Sequence, residues 1–198
     1  MSRLILASGS PRRRQLLHLA GFLISDVIPP DIPEERSAAE APLSYVRRLA
    51  REKAAAVSGD SAWILAADTI VHRNDELFEK PIDDHDAARM LQGLSGDWHR
   101  VTTAWCLRWS GPGKSPAKRT LLRGHRTSRV QFRALTEVEI ARYVATGEGT
   151  DKAGGYAVQG AGASLIERVV GSTTNVVGLP LSAVIPALLS VGLSRESP

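Results

Sequence analysis

Leu4-Ile5-Leu6-Ala7-Ser8-Gly9-Ser10-Pro11-Arg12-Arg13-Arg14 runs from an apolar stretch through a small polar turn into a proline and a basic triplet. A short apolar run closed by Ser and Gly reads as a buried strand. Pro11 fits the first position of a helix, where its missing N–H is not needed. Leu16, Leu17 and Ala20 then share one helical face. The helix turns its first N–H groups and the positive end of its dipole toward the mouth of the strand. Ser8 and Ser10 offer hydroxyls there, and Arg12, Arg13 and Arg14 add guanidinium forks that match phosphate oxygens. Physically this is an anion pocket suited to a polyphosphate. The plainer alternative is a capped helix with solvated arginines.

The same alternation continues along the chain. Val27 to Pro33 carries Pro29, Pro30 and Pro33 and reads as extended or looped. Residues 42–57 predict a helix with Leu43, Val46, Leu49, Ala50 and Ala54 on one face and charge on the other. Residues 63–67 predict a buried strand ending at Asp68, and 83–94 a helix capped by Asp83 or Asp84. Strands are expected over 101–109 and 128–135, joined by a polar loop rich in Gly, Pro and Lys. Thr136 with Glu139 is a capping box opening the next helix. A glycine-rich stretch, a strand over 164–170 and a last helix over 180–191 follow. Strands alternating with helices make the class α/β. No internal repeat or linker divides the 198 residues, so a single domain spanning 1–198 is expected.

Composition excludes several classes. Hydrophobic residues are 43% and charged residues 23%, as in globular proteins generally. No apolar run reaches the ~18 residues of a membrane helix, and the N-terminus lacks the pattern of a secretory signal. One cysteine, Cys106, excludes an internal disulfide and a cysteine-clustered metal site, and a reducing cytoplasm is the simplest home. The net charge is +4, yet nine basic residues and no acidic one lie between Trp98 and Thr136. That asymmetry invites a nucleic-acid reading. Against it, Arg129, Gln131 and Arg133 alternate with Val130 and Phe132, the pattern of a strand with one wet face.

Two phosphate-binding motifs fail. Gly111-Pro112-Gly113-Lys114-Ser115 imitates the end of a P-loop, but Arg108 stands where the first glycine belongs and Pro116 obstructs the following helix. Gln159-Gly160-Ala161-Gly162 begins like a dinucleotide fingerprint, but Leu165 replaces its third glycine. Other stretches hold. Asp68, at the expected end of a buried strand, can hold a divalent cation or take a proton from water, or it can simply end the strand. Glu79-Lys80-Pro81 lies a short hairpin away and can present Lys80. Glu34, Glu35 and Lys53 are ambiguous alone. Clustered glycines over 154–160 let backbone approach a ligand, and Gln159 offers a donor and an acceptor for a base edge; a flexible loop is the alternative. His18, His72, His85 and His125 read as surface or satisfied residues, and His99 as structural.

Ser8-Gly9-Ser10-Pro11-Arg12-Arg13, Arg48-Leu49-Ala50 with Lys53-Ala54, Ala67-Asp68-Thr69, Glu79-Lys80-Pro81, Leu94-Ser95-Gly96 with His99, Val101 and Thr103, Asp151-Lys152-Ala153-Gly154 with Tyr156, and Asn175-Val176-Val177-Gly178-Leu179-Pro180 occur in this order. This set resembles the Maf family of nucleoside triphosphate pyrophosphatases from Leu4 to about Leu189. Asp68-Thr69 with the Asp-Lys-Ala-Gly and Gln-Gly stretches is similar to the subgroup acting on dTTP and UTP. Gly155 stands where alanine is common, and Thr173-Thr174 where an aromatic is usual.

The resemblance implies an α/β fold, a long mixed sheet with flanking helices forming two lobes around a cleft, often as a homodimer. It implies hydrolysis of dTTP and UTP to monophosphate and pyrophosphate with a divalent cation, Mg²⁺ or Mn²⁺, which limits incorporation of non-standard nucleotides. It implies Asp68 as the proton acceptor, Arg12, Thr69 and Gln159 as specificity positions, and Ser8, Ser10, Arg13, Lys53 and Lys80 around the phosphates. Glu34, placed by counting back from Tyr45, would share the cation with Asp68. The partner expected is a small nucleotide, with no membrane. The family's association with septum formation leaves a second class, a non-catalytic cell-division regulator acting through the basic stretch from Arg100 to Arg133.

Overall fold

Strand β1 (Arg3–Ala7) runs parallel to β3 (Ala62–Arg73), with Leu4 opposite Trp63 and Leu6 opposite Leu65. From Leu4 to Ala7 and from Ala62 to Ala66 both stretches are buried, which is why they read as continuous apolar runs rather than alternating ones. A computed structural model describes residues 3–111 and 120–195. The P-loop-like sequence beyond Gly111 lies outside the described residues, as do residues 112–119 of the polar loop expected there; residues 121–127, expected as loop, instead begin a strand that runs to Phe132 rather than to Leu135.

The element order is β1, α1 (Pro11–Leu19), β2 (Asp26–Val27), α2 (Pro42–Ala56), β3, β4 (Glu76–Phe78), α3 (Asp84–Leu94), β5 (Trp98–Ser110), β6 (Leu121–Phe132), α4 (Glu137–Val144), β7 (Ile166–Val170), α5 (Thr173–Val177) and α6 (Leu181–Ser190). Two short 3₁₀ stretches, Ala153–Gly155 and Gly160–Leu165, precede β7. Among the described residues the sheet has seven strands in the order β2-β1-β3-β5-β6-β7, with β4 on β3. It is mixed: β1 is parallel to β2 and β3, whereas β3–β4 and β6–β7 are antiparallel. Mixed α/β with flanking helices is the class the sequence predicts. Among the described residues no helix is long and apolar enough to cross a membrane.

Several boundaries differ from expectation. β3 does not end at Asp68 but continues to Arg73. Beyond Asp68 the strand takes β4 as its partner, Val71 facing Phe78, through a turn in which Asn74 adopts φ 54°. Asn tolerates that conformation better than most residues. The strand expected from Ser164 starts at Ile166, because the preceding residues coil into a 3₁₀ turn. On α2, Leu43 is exposed and Tyr45 joins the buried face, together with Lys53. α5 is only five residues long, too short to show a helical period.

The chain divides into two compact units. The first comprises Met1–Asp68, Thr103–Arg126 and Gly178–Pro198. Its core gathers Leu4, Leu6, Leu17, Leu49, Trp63, Leu65, Leu107 and Leu188. The second comprises Thr69–Thr102 and Thr127–Val177. Its core gathers Val71, Phe78, Leu91, Val101, Phe132, Ile140, Tyr143, Tyr156 and Leu165.

Candidate active site

In the first unit, two buried charges and one exposed carboxylate converge. Lys53, on the buried face of α2, places its Nζ 2.6 Å from Asp68 Oδ1 and 2.8 Å from Glu34 Oε1. Lys53 is 7% exposed and Asp68 6% exposed. Buried charges persist only when paired, and here one ammonium serves two carboxylates. Arg13, in the first turn of α1, donates from Nε to the Gly178 carbonyl (2.8 Å) and from Nη1 to Ser8 Oγ (3.0 Å). Burial lowers its pKa; the neighbouring Asp68 and Glu34 pull the other way, and Arg12 adds to the lowering.

Ser8 is buried at the end of β1 and also accepts the Ser10 N–H at 3.2 Å. Ser10, the N-cap of α1, makes no side-chain capping bond, and no acidic residue lies in the first turn. The positive end of this helix is therefore reinforced by Arg12 and Arg13 rather than neutralised.

The loop carrying Glu34 is fastened to α2. Tyr45 Oη donates to the Glu34 carbonyl at 2.8 Å. Arg48 donates to the Glu35 carbonyl (2.8 Å), to both carboxylate oxygens of Glu40 (2.9 and 2.8 Å) and to Glu52 (3.0 Å). This register turns Glu34, not Glu35, to Lys53. Tyr45 and Arg48 were present in the sequence pattern only as spacing and motif residues; their fastening role depends on a loop whose path no period encodes.

The second unit holds Thr69, Lys80 and Gln159. Thr69 is half-buried on β3, whereas Lys80 and Gln159 are exposed. The Glu79 carbonyl accepts the Gly154 N–H at 3.0 Å, which ties the Lys80 segment to the glycine-rich stretch. That stretch is tightly folded rather than a flexible loop. A Cβ on Gly149 would lie 2.0 Å from the Gly155 oxygen, and one on Gly162 would lie 2.1 Å from the Ala157 oxygen. The glycines thus admit the protein's own backbone. The N–H groups of Gly154 and Gly155 are engaged with Glu79 and Lys152, so they are not the ligand contacts that clustered glycines led one to expect.

Glu148 holds this stretch from within, accepting the Ala161 N–H at 3.0 Å and the Gly162 N–H at 2.8 Å. Burial works to raise the pKa of Glu148, but hydrogen bonds from Gly162, the Tyr143 hydroxyl and Ala161 bring it on balance below the ordinary carboxylate range. Nothing in the sequence pattern singled out Glu148. His99, 2% exposed, shares a 2.7 Å hydrogen bond with the Tyr156 hydroxyl and packs edge-on against Phe132. Burial pushes its pKa down to about 4. Asn175, fully buried, donates to the Val101 carbonyl (2.9 Å) and to Ser128 Oγ (3.0 Å), so its motif is an internal fastener.

Among the described residues of the basic stretch, three arginines are engaged in structure. Arg108 donates to the carbonyls of Ala54 and Val57 at the end of α2, both at 2.6 Å. Arg129 lies over the Trp98 ring at 4.3 Å, and Arg133 pairs with Glu139 at 2.8 Å. The alternation read from Arg129 to Phe132 is present, with Val130 and Phe132 buried.

A mixed α/β sheet, a carboxylate pair bridged by the Lys53 ammonium and a basic helix N-terminus directly after β1 define the class of protein. The sequence model of the Maf-like protein family matches residues 3–191. The chain belongs to that family. It is 45% identical over 192 residues to the dTTP/UTP pyrophosphatase of Geobacter sulfurreducens, covering 96% of this chain and 97% of the relative. It is 44% identical to the dTTP/UTP pyrophosphatase of Vibrio cholerae, covering 91% and 94%. The solved structure of a HAM1 protein from Coxiella burnetii is similar at a TM-score of 0.43 and 18% identity, covering 67% of this chain and 73% of that one.

Proposed function

We propose that this chain hydrolyses dTTP and UTP to the monophosphate and pyrophosphate, with residues 1–198 acting as a single domain. The observation that carries the proposal is the Lys53 ammonium between Asp68 and Glu34, in the same unit as the basic N-terminus of α1. The names of its relatives support the substrate.

Arg13 and Lys53, with Ser8, Ser10 and Lys80, bind the phosphates. Asp68, oriented by Lys53, takes a proton from water, which attacks the α-phosphorus and breaks its bond to the bridging oxygen of the departing pyrophosphate. General base assistance of this kind contributes about 10²–10⁴ in rate. Asp68 and Glu34 are hard oxygen donors, and among the described residues no cluster of three or more His, Cys, Asp or Glu could hold a metal by itself. That donor set fits a cation such as Mg²⁺ or Mn²⁺, which takes one or two carboxylates and completes its shell with phosphate oxygens and water. When bound, such a cation neutralises the triphosphate.

Arg12, Thr69 and Gln159 select the base. Uracil and thymine present two carbonyl acceptors flanking one N–H donor, and the Gln159 amide matches that edge with one donor and one acceptor. Cytosine inverts two of those positions. The test is the product formed from dTTP and UTP with Mg²⁺ or Mn²⁺. Stoichiometric pyrophosphate is expected, and orthophosphate as first product would overturn the bond assignment.

A further inference from the structure

Gln159 occupies the N-cap of the 3₁₀ turn Gly160–Leu165 yet makes no side-chain capping bond. Short polar residues such as Ser, Asp or Asn usually fill that position, and their side chains are consumed by the first N–H groups of the turn. Here those groups are satisfied from elsewhere. Glu148 Oε1 accepts the Ala161 N–H at 3.0 Å and Oε2 accepts the Gly162 N–H at 2.8 Å, so one carboxylate from eleven residues upstream does the capping. Tyr143 backs the arrangement. Its hydroxyl bonds Glu148 and also accepts the Ala157 N–H at 3.0 Å, holding the backbone just before Gln159. Gly160 makes room: it has φ +66°, and a Cβ there would lie 1.9 Å from Glu148 Oε1. The Gln159 side chain is left exposed at the tip of a turn whose backbone is fixed on both sides.

We propose that Glu148 is a positioning residue for base selection: it caps the turn in place of residue 159 and so reserves the Gln159 amide for the nucleobase. This rests on the reading of Gln159 as a base-recognition residue. Glu148 touches no substrate; it acts through the backbone of Ala161 and Gly162. Without its carboxylate those two N–H groups need a new acceptor, and the nearest amide oxygen in sequence is that of Gln159 itself. The amide then turns inward and its match to the uracil edge is lost.

The experiment compares wild type, Glu148→Ala, Glu148→Gln, Gln159→Ala and the Glu148→Ala/Gln159→Ala double variant. kcat/KM is measured for UTP and for CTP, and thermal unfolding is followed alongside. Wild type should prefer UTP, and Glu148→Ala should reduce that preference about tenfold, the usual scale of one lost buried hydrogen bond. Glu148→Gln keeps one acceptor oxygen and should fall between the two. The decisive readout is coupling: the double variant should be no less selective than Gln159→Ala alone, because residues acting through one another are not additive. Should Glu148→Ala fail to fold, Glu148→Gln decides the point on the same ratio. A UTP preference unchanged in folded Glu148 variants, with both substrates slowed alike, would overturn the inference alone. A wild type without UTP preference would overturn the base-recognition reading beneath it.

Discussion

In the first unit the site's side chains, Glu34 on its loop apart, stand on or directly beside regular elements: Asp68 on β3, Lys53 on α2, Arg13 in the first turn of α1 and Ser8 directly after β1. In the second, Gln159, Gly154 and Glu148 lie in irregular backbone, held by short contacts between glycines, carbonyls and one carboxylate. The difference teaches how each can fail. Groups on packed elements can lose their chemistry while the fold persists. A stretch in which backbone packs on backbone loses shape before it loses any single functional group.

Asp68→Asn is the sharpest test of the first half of that contrast. Asn keeps an acceptor toward Lys53, so the melting temperature should hold, while pyrophosphate release falls about 10²–10⁴-fold. Wild-type turnover would remove Asp68 from the role of base.

Acid should strike the second unit. His99 is neutral in the folded chain down to about pH 4, whereas an unfolded chain binds the proton near its ordinary value of 6.5. Stability is therefore constant above that value and lost as pH falls through the window between the two, by on the order of 3 kcal/mol. Urea unfolding at pH 7 and pH 4.5 measures it. His99→Phe should flatten this part of the pH dependence, and an unchanged slope would contradict the assignment.

A pair of glycine substitutions separates backbone packing from backbone conformation. Gly149→Ala drives a methyl to 2.0 Å from the Gly155 oxygen and should cost about 2 kcal/mol or more. Gly147→Ala meets nothing within 4 Å but must adopt φ +66°, and should cost about 1 kcal/mol. Equal losses in denaturant melts would mean that the close packing of this stretch is not what holds it.

The smallest effect on stability is expected at Arg48. Its ion pairs are partly exposed, so Arg48→Ala should cost no more than about 1 kcal/mol. Because Arg48 fastens the loop that aims Glu34, the Mg²⁺ concentration for half-maximal activity should nonetheless rise about tenfold. An unchanged metal requirement would separate Glu34 from the cation.

What the sequence reveals follows the same division. Thr136 and Glu139 form their capping box with both bonds in place, since both halves lie within one turn. Val130 and Phe132 alternate inward as their spacing predicts. Lys53 is read only through its motif, although a lysine on the Leu49, Ala50 and Ala54 face is itself a signal of a buried partner. The length of β3 escapes detection because Asp68 and Thr69 interrupt the apolar run and the continuing partner, β4, comes from a later hairpin. The orientation of Glu34 and the engagement of Glu148 depend on residues brought together by loops, with no period to betray them.

The most direct test of the whole account is kcat/KM for pyrophosphate release across dTTP, UTP, CTP, dATP, GTP and 7-methyl-GTP with one protein preparation. dTTP and UTP should stand ahead of every other nucleotide, by about tenfold or more for each unsatisfied group at the base edge. Equal values for UTP, CTP and GTP would contradict it and return Thr69 and Gln159 to purely structural roles.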